Sequence, residues 1–347
     1  FNDDLDTLKK TRDLCIYDPG FSDRLFWHDY NVATWREITL KGLSSGPTSL
    51  FYGLSYKKYW REHKRAMDIE YAHRFPRGIP SHHDQLFLLE DTMDWLRDNL
   101  ATLPQPFIVY FHLSPPHSPY RPSREFVGIF DEDGERSERA GWMPIPKPEH
   151  HFTQGLSYLD LATSAKEYDE YIAYADAAFG RLYDHFRASS LADNTYLLVT
   201  SDHGEMFERG IMGHLTETLY DAVVRIPLLI SAPGQQERRD VHALTSAIDV
   251  MPTLLHFAER PIPTWCEGQI LPPYQTGNAN SDERSIFVLE AKSNAKRRPL
   301  TKASVAMIKG RYKLIHYRGY DGFDDQYELY DLEADPEELN DLYATTS

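Results

Sequence analysis

Between Gln85 and Leu100, apolar side chains recur at Leu86, Leu89, Met93, Leu96 and Leu100. Steps of three and four put them on one face of a helix, which Pro104 and Pro106 then stop. The next run, Phe107-Ile108-Val109-Tyr110-Phe111, has no such period and predicts a buried strand leading into His112-Leu113-Ser114-Pro115-Pro116-His117-Ser118-Pro119-Tyr120. Residues 128–160, dense in Gly, Pro and charge, predict a long surface excursion. Ser164 with Glu167 has the form of a capping box, opening a helix whose stripe is Tyr168, Ile172, Ala175, Phe179, Leu182 and Phe186. Strands follow at Tyr196–Thr200 and Pro227–Ser231. Asp249 then caps a helix through Leu254, Leu255 and Phe257, with Pro252 tolerated in its first turn. Such alternation predicts an α/β fold, a parallel sheet covered by helices on both faces.

The pattern changes at both ends. Residues 1 to about 80 are rich in Tyr, Trp, Arg and His without periodicity, which predicts irregular structure with short helices, for instance around Tyr56–Arg65. Toward the carboxyl terminus, Ser285–Glu290, Ser304–Lys309, Tyr312–Tyr317 and Tyr327–Tyr330 read as short strands with no helix between them. Asp335-Pro336-Glu337-Glu338 has the cap, first-turn proline and acidic residues of a helix start. The expected division is an α/β domain over residues 1–275 and an antiparallel subdomain with a terminal helix over residues 276–347.

Composition narrows the function classes. At 347 residues, 41% apolar and 26% charged, the chain has the make-up of a globular protein, and no apolar stretch reaches the length of a membrane span. A net charge of −16 argues against a nucleic-acid partner and leaves an anionic substrate to be drawn in locally, by a metal, imidazoles or a basic rim. Cys15 and Cys266 make neither a disulfide framework nor a metal-type pair.

The chemistry concentrates where the strand Tyr196-Leu197-Leu198-Val199 breaks into Thr200-Ser201-Asp202-His203-Gly204-Glu205. Open α/β sheets place their sites at the carboxyl ends of strands. Gly204 lets the chain turn sharply, so that Asp202 and His203 can converge although they would alternate on a strand. A carboxylate and an imidazole make a metal-ligating pair that by itself leaves calcium, magnesium, manganese and zinc all open. The bland reading is a polar turn, for which Asp, His and Gly are common residues.

The sequence continues with Gly213-His214, Leu219-Tyr220-Asp221 and Arg225-Ile226-Pro227-Leu228-Leu229-Ile230-Ser231-Ala232-Pro233-Gly234. This ordered series resembles the sulfatase branch of the alkaline phosphatase superfamily. Gly310 to Ile315 and Glu328 to Leu339 also resemble that family's carboxyl-terminal strand and Asp-Pro-Glu-Glu-Leu run, so the likeness covers roughly residues 85 to 343. It implies an alkaline phosphatase-like, parallel-rich sheet sandwiched by helices, with a small carboxyl-terminal antiparallel sheet. It also implies a divalent metal, calcium first, on Asp202 and His203. His214 would stand where the family sets a His or Lys against the transferred group. His117, in Pro116-His117-Ser118-Pro119-Tyr120, would match the histidine that contacts the substrate's anionic oxygens. His117 and His214 are thus the expected catalytic and substrate-binding residues. His112 reads as structural.

The activity implied is metal-assisted hydrolysis of a small-molecule or carbohydrate sulfate ester. The rivals are a phosphodiesterase or phosphonate monoester hydrolase of the same superfamily, and a catalytically incomplete anion-binding fragment. The resemblance leaves the compartment open: it allows a periplasmic or secreted location, and no signal is visible in the sequence. The family also uses an early acidic pair and a Cys or Ser converted to formylglycine, and neither motif is found in these 347 residues. Asp3-Asp4 follows no strand, and Tyr120-Arg121-Pro122-Ser123-Arg124 echoes the nucleophile motif with a tyrosine that cannot be converted. With Phe1-Asn2-Asp3-Asp4 showing neither Met nor signal, the expectation is a chain lacking its amino-terminal third. Lys292, Lys296, Arg297, Arg298 and Lys302 are candidates for a basic rim. Trp27, Trp35 and Trp60 are candidates for a substrate pocket, though core packing is the simpler role.

Overall fold

The computed structural model describes residues 64–82, 85–86, 88–103, 105–131, 145–275, 284–292, 294 and 299–344. The proposed roles of Asp3-Asp4, Cys15, Trp27, Trp35, Trp60, Lys296, Arg297 and Arg298 fall outside these residues. Of the helix proposed around Tyr56–Arg65, only its end is described, within a helical stretch at 64–70. The chain divides into two compact units, Phe1–Met143 with Thr163–Ala192, and Pro144–Ala162 with Asp193–Ser347.

In the first unit the helix predicted over Gln85–Leu100 is shorter. Gln85–Leu86 (β2) pairs antiparallel with Ser81–His82 (β1), and helix α1 runs Leu89–Asn99. Its face Leu89, Met93 and Leu96 is buried as the spacing requires. Phe107–Phe111 is not a strand: it makes no ladder with another segment among the described residues, and Ile108 and Tyr110 are exposed. An apolar run becomes a strand only where a neighbour accepts its hydrogen bonds.

Helix α2, Tyr158–Ala188, starts six residues before the predicted cap. The working capping box is Ser157 with Asp160: the Asp160 N–H donates to Ser157 Oγ at 3.2 Å, and the Ser157 N–H donates to the Asp160 carboxylate at 3.3 Å. Leu182 and Phe186 of the predicted stripe are buried, but earlier in the helix the buried face is rotated. Tyr171, Tyr174 and Ala178 are fully enclosed, while Ile172 is exposed. Tyr174 packs edge-on against Phe75 and Phe126 and donates its hydroxyl to Glu90 at 2.5 Å. The nearby decoy motif is structural too: Tyr120 is buried against Tyr168, and Arg121 donates to the Ile79 carbonyl at 3.0 Å.

The second unit holds the remaining strands. Leu197–Thr200 (β3) pairs with Leu228–Ser231 (β6), and the pairing is antiparallel, not parallel as the alternation predicted. The cause lies in the link between them. It contains a hairpin, Met206–Glu208 (β4) with Ile211–Gly213 (β5), and a single-turn helix α3, Asp221–Val224, rather than the helical crossover that a parallel neighbour needs. Helix α4, Val250–Phe257, follows a 3₁₀ turn at Ala247–Asp249. Asp249 is the third residue of a capping box opened by Ser246. It also takes both guanidinium nitrogens of Arg284, at 2.6 and 2.7 Å.

The four carboxyl-terminal strands, Ser285–Glu290 (β7), Ala303–Lys309 (β8), Tyr312–Arg318 (β9) and Gln326–Asp331 (β10), form the expected antiparallel sheet in the order β10-β9-β8-β7. Its inner face, with Ala306, Ile315, Tyr317 and Tyr330, closes a core with Met206, Ile211, Leu219, Tyr220 and Val223. The predicted terminal helix is replaced by turns. Glu338 lies in the left-handed region at φ 53°, where a helix cannot continue, and its carboxylate binds the buried Lys313 at 2.7 Å and the Asp221 N–H.

Within this core the Glu328 carboxylate accepts from the hydroxyls of Tyr220 and Tyr317 and lies 3.1 Å from His150 Nε2. Burial pushes the Glu328 carboxyl up, but His150, Tyr220 and Tyr317 outweigh it and hold it below the usual carboxylate range. A carboxyl lowered on folding stabilises the protein above its unfolded value, and that stability is lost as pH falls through the folded value. Urea unfolding should therefore show wild type losing this contribution as pH falls below about 5, with Glu328→Gln lacking it. Glu328→Ala should cost about 3 kcal/mol at neutral pH, and parallel acid profiles for wild type and Glu328→Gln would rule the network out as the source.

Candidate active site

The end of β3 delivers Ser201-Asp202-His203-Gly204 into a turn drawn tightly onto α3. The Gly204 N–H donates to the Val223 carbonyl at 2.7 Å, and a Cβ on Gly204 would lie 2.1 Å from the Ala222 carbonyl oxygen. No side chain larger than hydrogen fits this approach. The His203 N–H donates to Asp202 Oδ1 at 3.1 Å, and that same oxygen is 3.6 Å from His203 Nε2. His203 Nδ1 is 2.8 Å from the Gly204 carbonyl, which can only accept, so Nδ1 carries the proton and Nε2 keeps its lone pair in the neutral ring. Two donor atoms, one oxygen and one nitrogen, thus lie side by side.

The hairpin that follows was not foreseen. Its loop is Arg209-Gly210, with φ of 57° and 75°, the two positive values of a type I′ turn. Glu208 pairs with Ile211 and Met206 with Gly213, so one step further along the register Glu205 stands opposite His214. Glu205 Oε2 is 3.2 Å from His214 Nδ1. The His214 ring in turn stacks on His203 with centroids 3.7 Å apart. Sequence reasoning missed Glu205. The signal that reveals it is the pair of short apolar-containing runs, Met206-Phe207-Glu208 and Ile211-Met212-Gly213, separated by two residues ending in glycine.

The hairpin is held from both sides. Met206 and Ile211 are fully buried in the core beneath the four-stranded sheet. On the other side Gln154 exchanges two hydrogen bonds with the Met212 backbone, at 3.2 and 3.3 Å, and its own N–H donates to the Gly210 carbonyl at 2.9 Å. Part of the predicted surface excursion therefore clamps the element that carries His214. His117 belongs to the first unit, whereas Asp202, His203 and His214 belong to the second. Its N–H donates to the Ser114 carbonyl at 2.8 Å, and its Nδ1 lies 2.6 Å from the Ser118 carbonyl, which fixes the ring as Gly204 fixes that of His203. His112 is exposed and pairs with the Tyr110 hydroxyl at 3.0 Å.

A family model for sulfatases matches residues 34–259, and one for the carboxyl-terminal region of N-sulphoglucosamine sulphohydrolase matches residues 214–347. The chain belongs to the sulfatase family. Choline-sulfatase of Rhizobium meliloti (strain 1021) is 27% identical over 260 residues, covering 71% of this chain and 48% of that protein. Arylsulfatase K of Bos taurus is 27% identical over 284 residues, covering 73% and 50%. This sulfatase chain spans about half the length of the curated relatives it matches. Among solved structures, the phosphonate monoester hydrolase of Silicibacter pomeroyi superposes with a TM-score of 0.59 at 24% identity, over 74% of this chain and 57% of that one. The corresponding enzyme of Agrobacterium radiobacter gives 0.59 at 20% identity, over 77% and 58%. These likenesses establish the alkaline phosphatase-like α/β fold that the sequence led us to expect.

Sulfatases hold a divalent metal, and the donors here fit one. Asp202 offers a hard oxygen 3.6 Å from the imidazole nitrogen of His203, a separation two ligands of one ion span with little adjustment. His203, Glu205 and His214 likewise bring one donor atom each within 4.8 Å of one another. No helix among the described residues is long and apolar enough to cross a membrane.

Two outcomes follow. Gly204→Ala should lower thermal stability by about 2 kcal/mol and weaken metal binding, because backbone rather than a flexible side chain opposes the new methyl. An unchanged melting curve would show that the turn is loose. Asp202→Asn should lower calcium and manganese affinity about tenfold in calorimetric titration while the fold survives, since its carboxylate is 61% exposed. Equal affinities in the two proteins would make Asp202 a turn residue only.

Proposed function

We propose that these residues form the metal- and anion-binding part of an active site that hydrolyses a sulfate ester of a small molecule or carbohydrate. The observation carrying this reading is the assembly of Asp202, His203 and His214 on one turn and one hairpin of a sulfatase-family chain. The two relatives named above, a choline-sulfatase and an arylsulfatase, support the sulfate ester as the bond attacked. Asp202 and His203 would hold the divalent ion, calcium being the first assignment and magnesium, manganese and zinc the alternatives. When bound, it polarises the sulfuryl oxygens.

His117 and His214 meet the remaining charge. With Nδ1 of His117 facing the Ser118 carbonyl and Nδ1 of His214 facing Glu205, each ring as an imidazolium has Nε2–H to give to a sulfuryl oxygen. Donors aimed where charge develops lower the barrier, and one of the two rings protonates the leaving alcohol. Neither Cys15 nor Cys266 has the Pro and Arg of a formylglycine motif, so the attacking group is not one of the residues assigned.

Titration of the metal-loaded 347-residue protein with inorganic sulfate tests the reading. His117→Ala and His214→Ala should each weaken sulfate binding about tenfold, as loss of a hydrogen bond to a charged group does. Sulfate binding untouched by both substitutions would sink the assignment. Faster turnover of a phosphonate monoester than of an aryl sulfate would favour the phosphonate monoester hydrolase reading instead.

A further inference from the structure

The three imidazoles assigned above are anchored in the same manner but not by the same partner. Nδ1 of His117 faces the Ser118 carbonyl and Nδ1 of His203 faces the Gly204 carbonyl, each one residue further along the chain. Nδ1 of His214 instead faces a side chain, the carboxylate of Glu205 nine residues earlier. That carboxylate is enclosed, its side chain 5% exposed against 16% for His214. The fold keeps it there. The β4–β5 register sets Glu205 opposite His214, and Met206 beside it is fully buried. Gly213 takes a φ of 102° at the hairpin end beside this carboxylate, a conformation that favours glycine.

From this geometry we propose that Glu205 is the positioning residue of His214, holding Nδ1–H and the ring plane so that Nε2, which carries the second proton of the imidazolium when the anion is bound, is the nitrogen turned toward the anion. The proposal rests on the reading of His214 as an anion-binding residue. A carboxylate accepting from one imidazole nitrogen fixes tautomer and orientation together, and partners of this kind are worth about 10- to 100-fold in binding or activity. Ring stacking alone cannot do this. The His203 ring at 3.7 Å restrains the plane of His214 but not which nitrogen faces inward, because a flip about the ring axis preserves the stack. The competing role for Glu205 is that of a third metal ligand, beside His203 and His214.

Nitrogen-15 NMR of histidine-labelled, metal-free 347-residue protein at pH 8.5 separates these roles, with the His214 signal assigned from a His214→Gln variant. Wild type should show Nδ1 of His214 protonated. Glu205→Gln, whose amide oxygen still accepts, should keep that signature. Glu205→Leu should lose it and weaken inorganic sulfate binding by the metal-loaded protein about tenfold, with manganese affinity changed less than about threefold. Far-ultraviolet circular dichroism shows whether each variant folds, and the Gln rescue keeps the test decisive if Glu205→Leu does not. Two results would overturn the proposal: Nδ1–H persisting in folded Glu205→Leu, or manganese affinity falling tenfold or more in both variants, which makes Glu205 a ligand. If no variant's sulfate affinity depends on His214, the anion-site reading fails, while the tautomer result still decides whether Glu205 positions the ring.

Discussion

The two-residue turn at Arg209-Gly210 is the constraint on which the rest of the site depends. Both residues must take positive φ, an unfavourable conformation for arginine, and the fold over-determines it. The Arg209 guanidinium sits 4.0 Å over the Tyr220 ring and donates to the Glu338 carbonyl, while Gly210 is pressed against Thr153. With this turn set, the hairpin register is set. With the register set, Glu205 and His214 face each other at 3.2 Å. Insertion of one residue in the loop would turn every following side chain to the opposite face and separate the pair.

Charges buried around this hairpin are paired in networks rather than singly. Lys147 bridges Glu208 and Glu337 at 2.7 and 2.9 Å, Lys313 bridges Asp221 and Glu338 at 2.9 and 2.7 Å, and Glu328 gathers His150, Tyr220 and Tyr317. Removing one partner from such a set strands a buried charge, which costs more than the pair itself contributes. These networks, with single backbone bonds such as His150 N–H to the Arg209 carbonyl, hold the segment 145–157 and the turns after Asp335 without regular secondary structure.

Local signals made much of this legible in the sequence. The strand leading to Asp202-His203, the turn at Gly204 and the four-stranded sheet follow from short apolar runs and from glycine. What failed did so where tertiary contacts overrode a local cue. Asp335-Pro336-Glu337-Glu338 reads as a helix start, yet the ion pair of Glu338 with buried Lys313 draws the chain into a left-handed turn. Ser164 and Glu167 match a capping box inside a helix already begun at Ser157 with Asp160. Pairing direction was illegible for a different reason, since an apolar run does not state which way its neighbour runs. Glu205 was overlooked because its role arises from hairpin register rather than from the motif that contains it.

The central claim is that one imidazole, His203, joins Asp202 on the metal while His214 is kept back for the anion. X-ray absorption spectroscopy of the manganese-loaded protein reads the number of imidazoles in the coordination shell directly. One imidazole among oxygen ligands, lost in His203→Ala and retained in His214→Ala, is the result this account predicts. Two imidazoles, or a shell unchanged by His203→Ala, would contradict it.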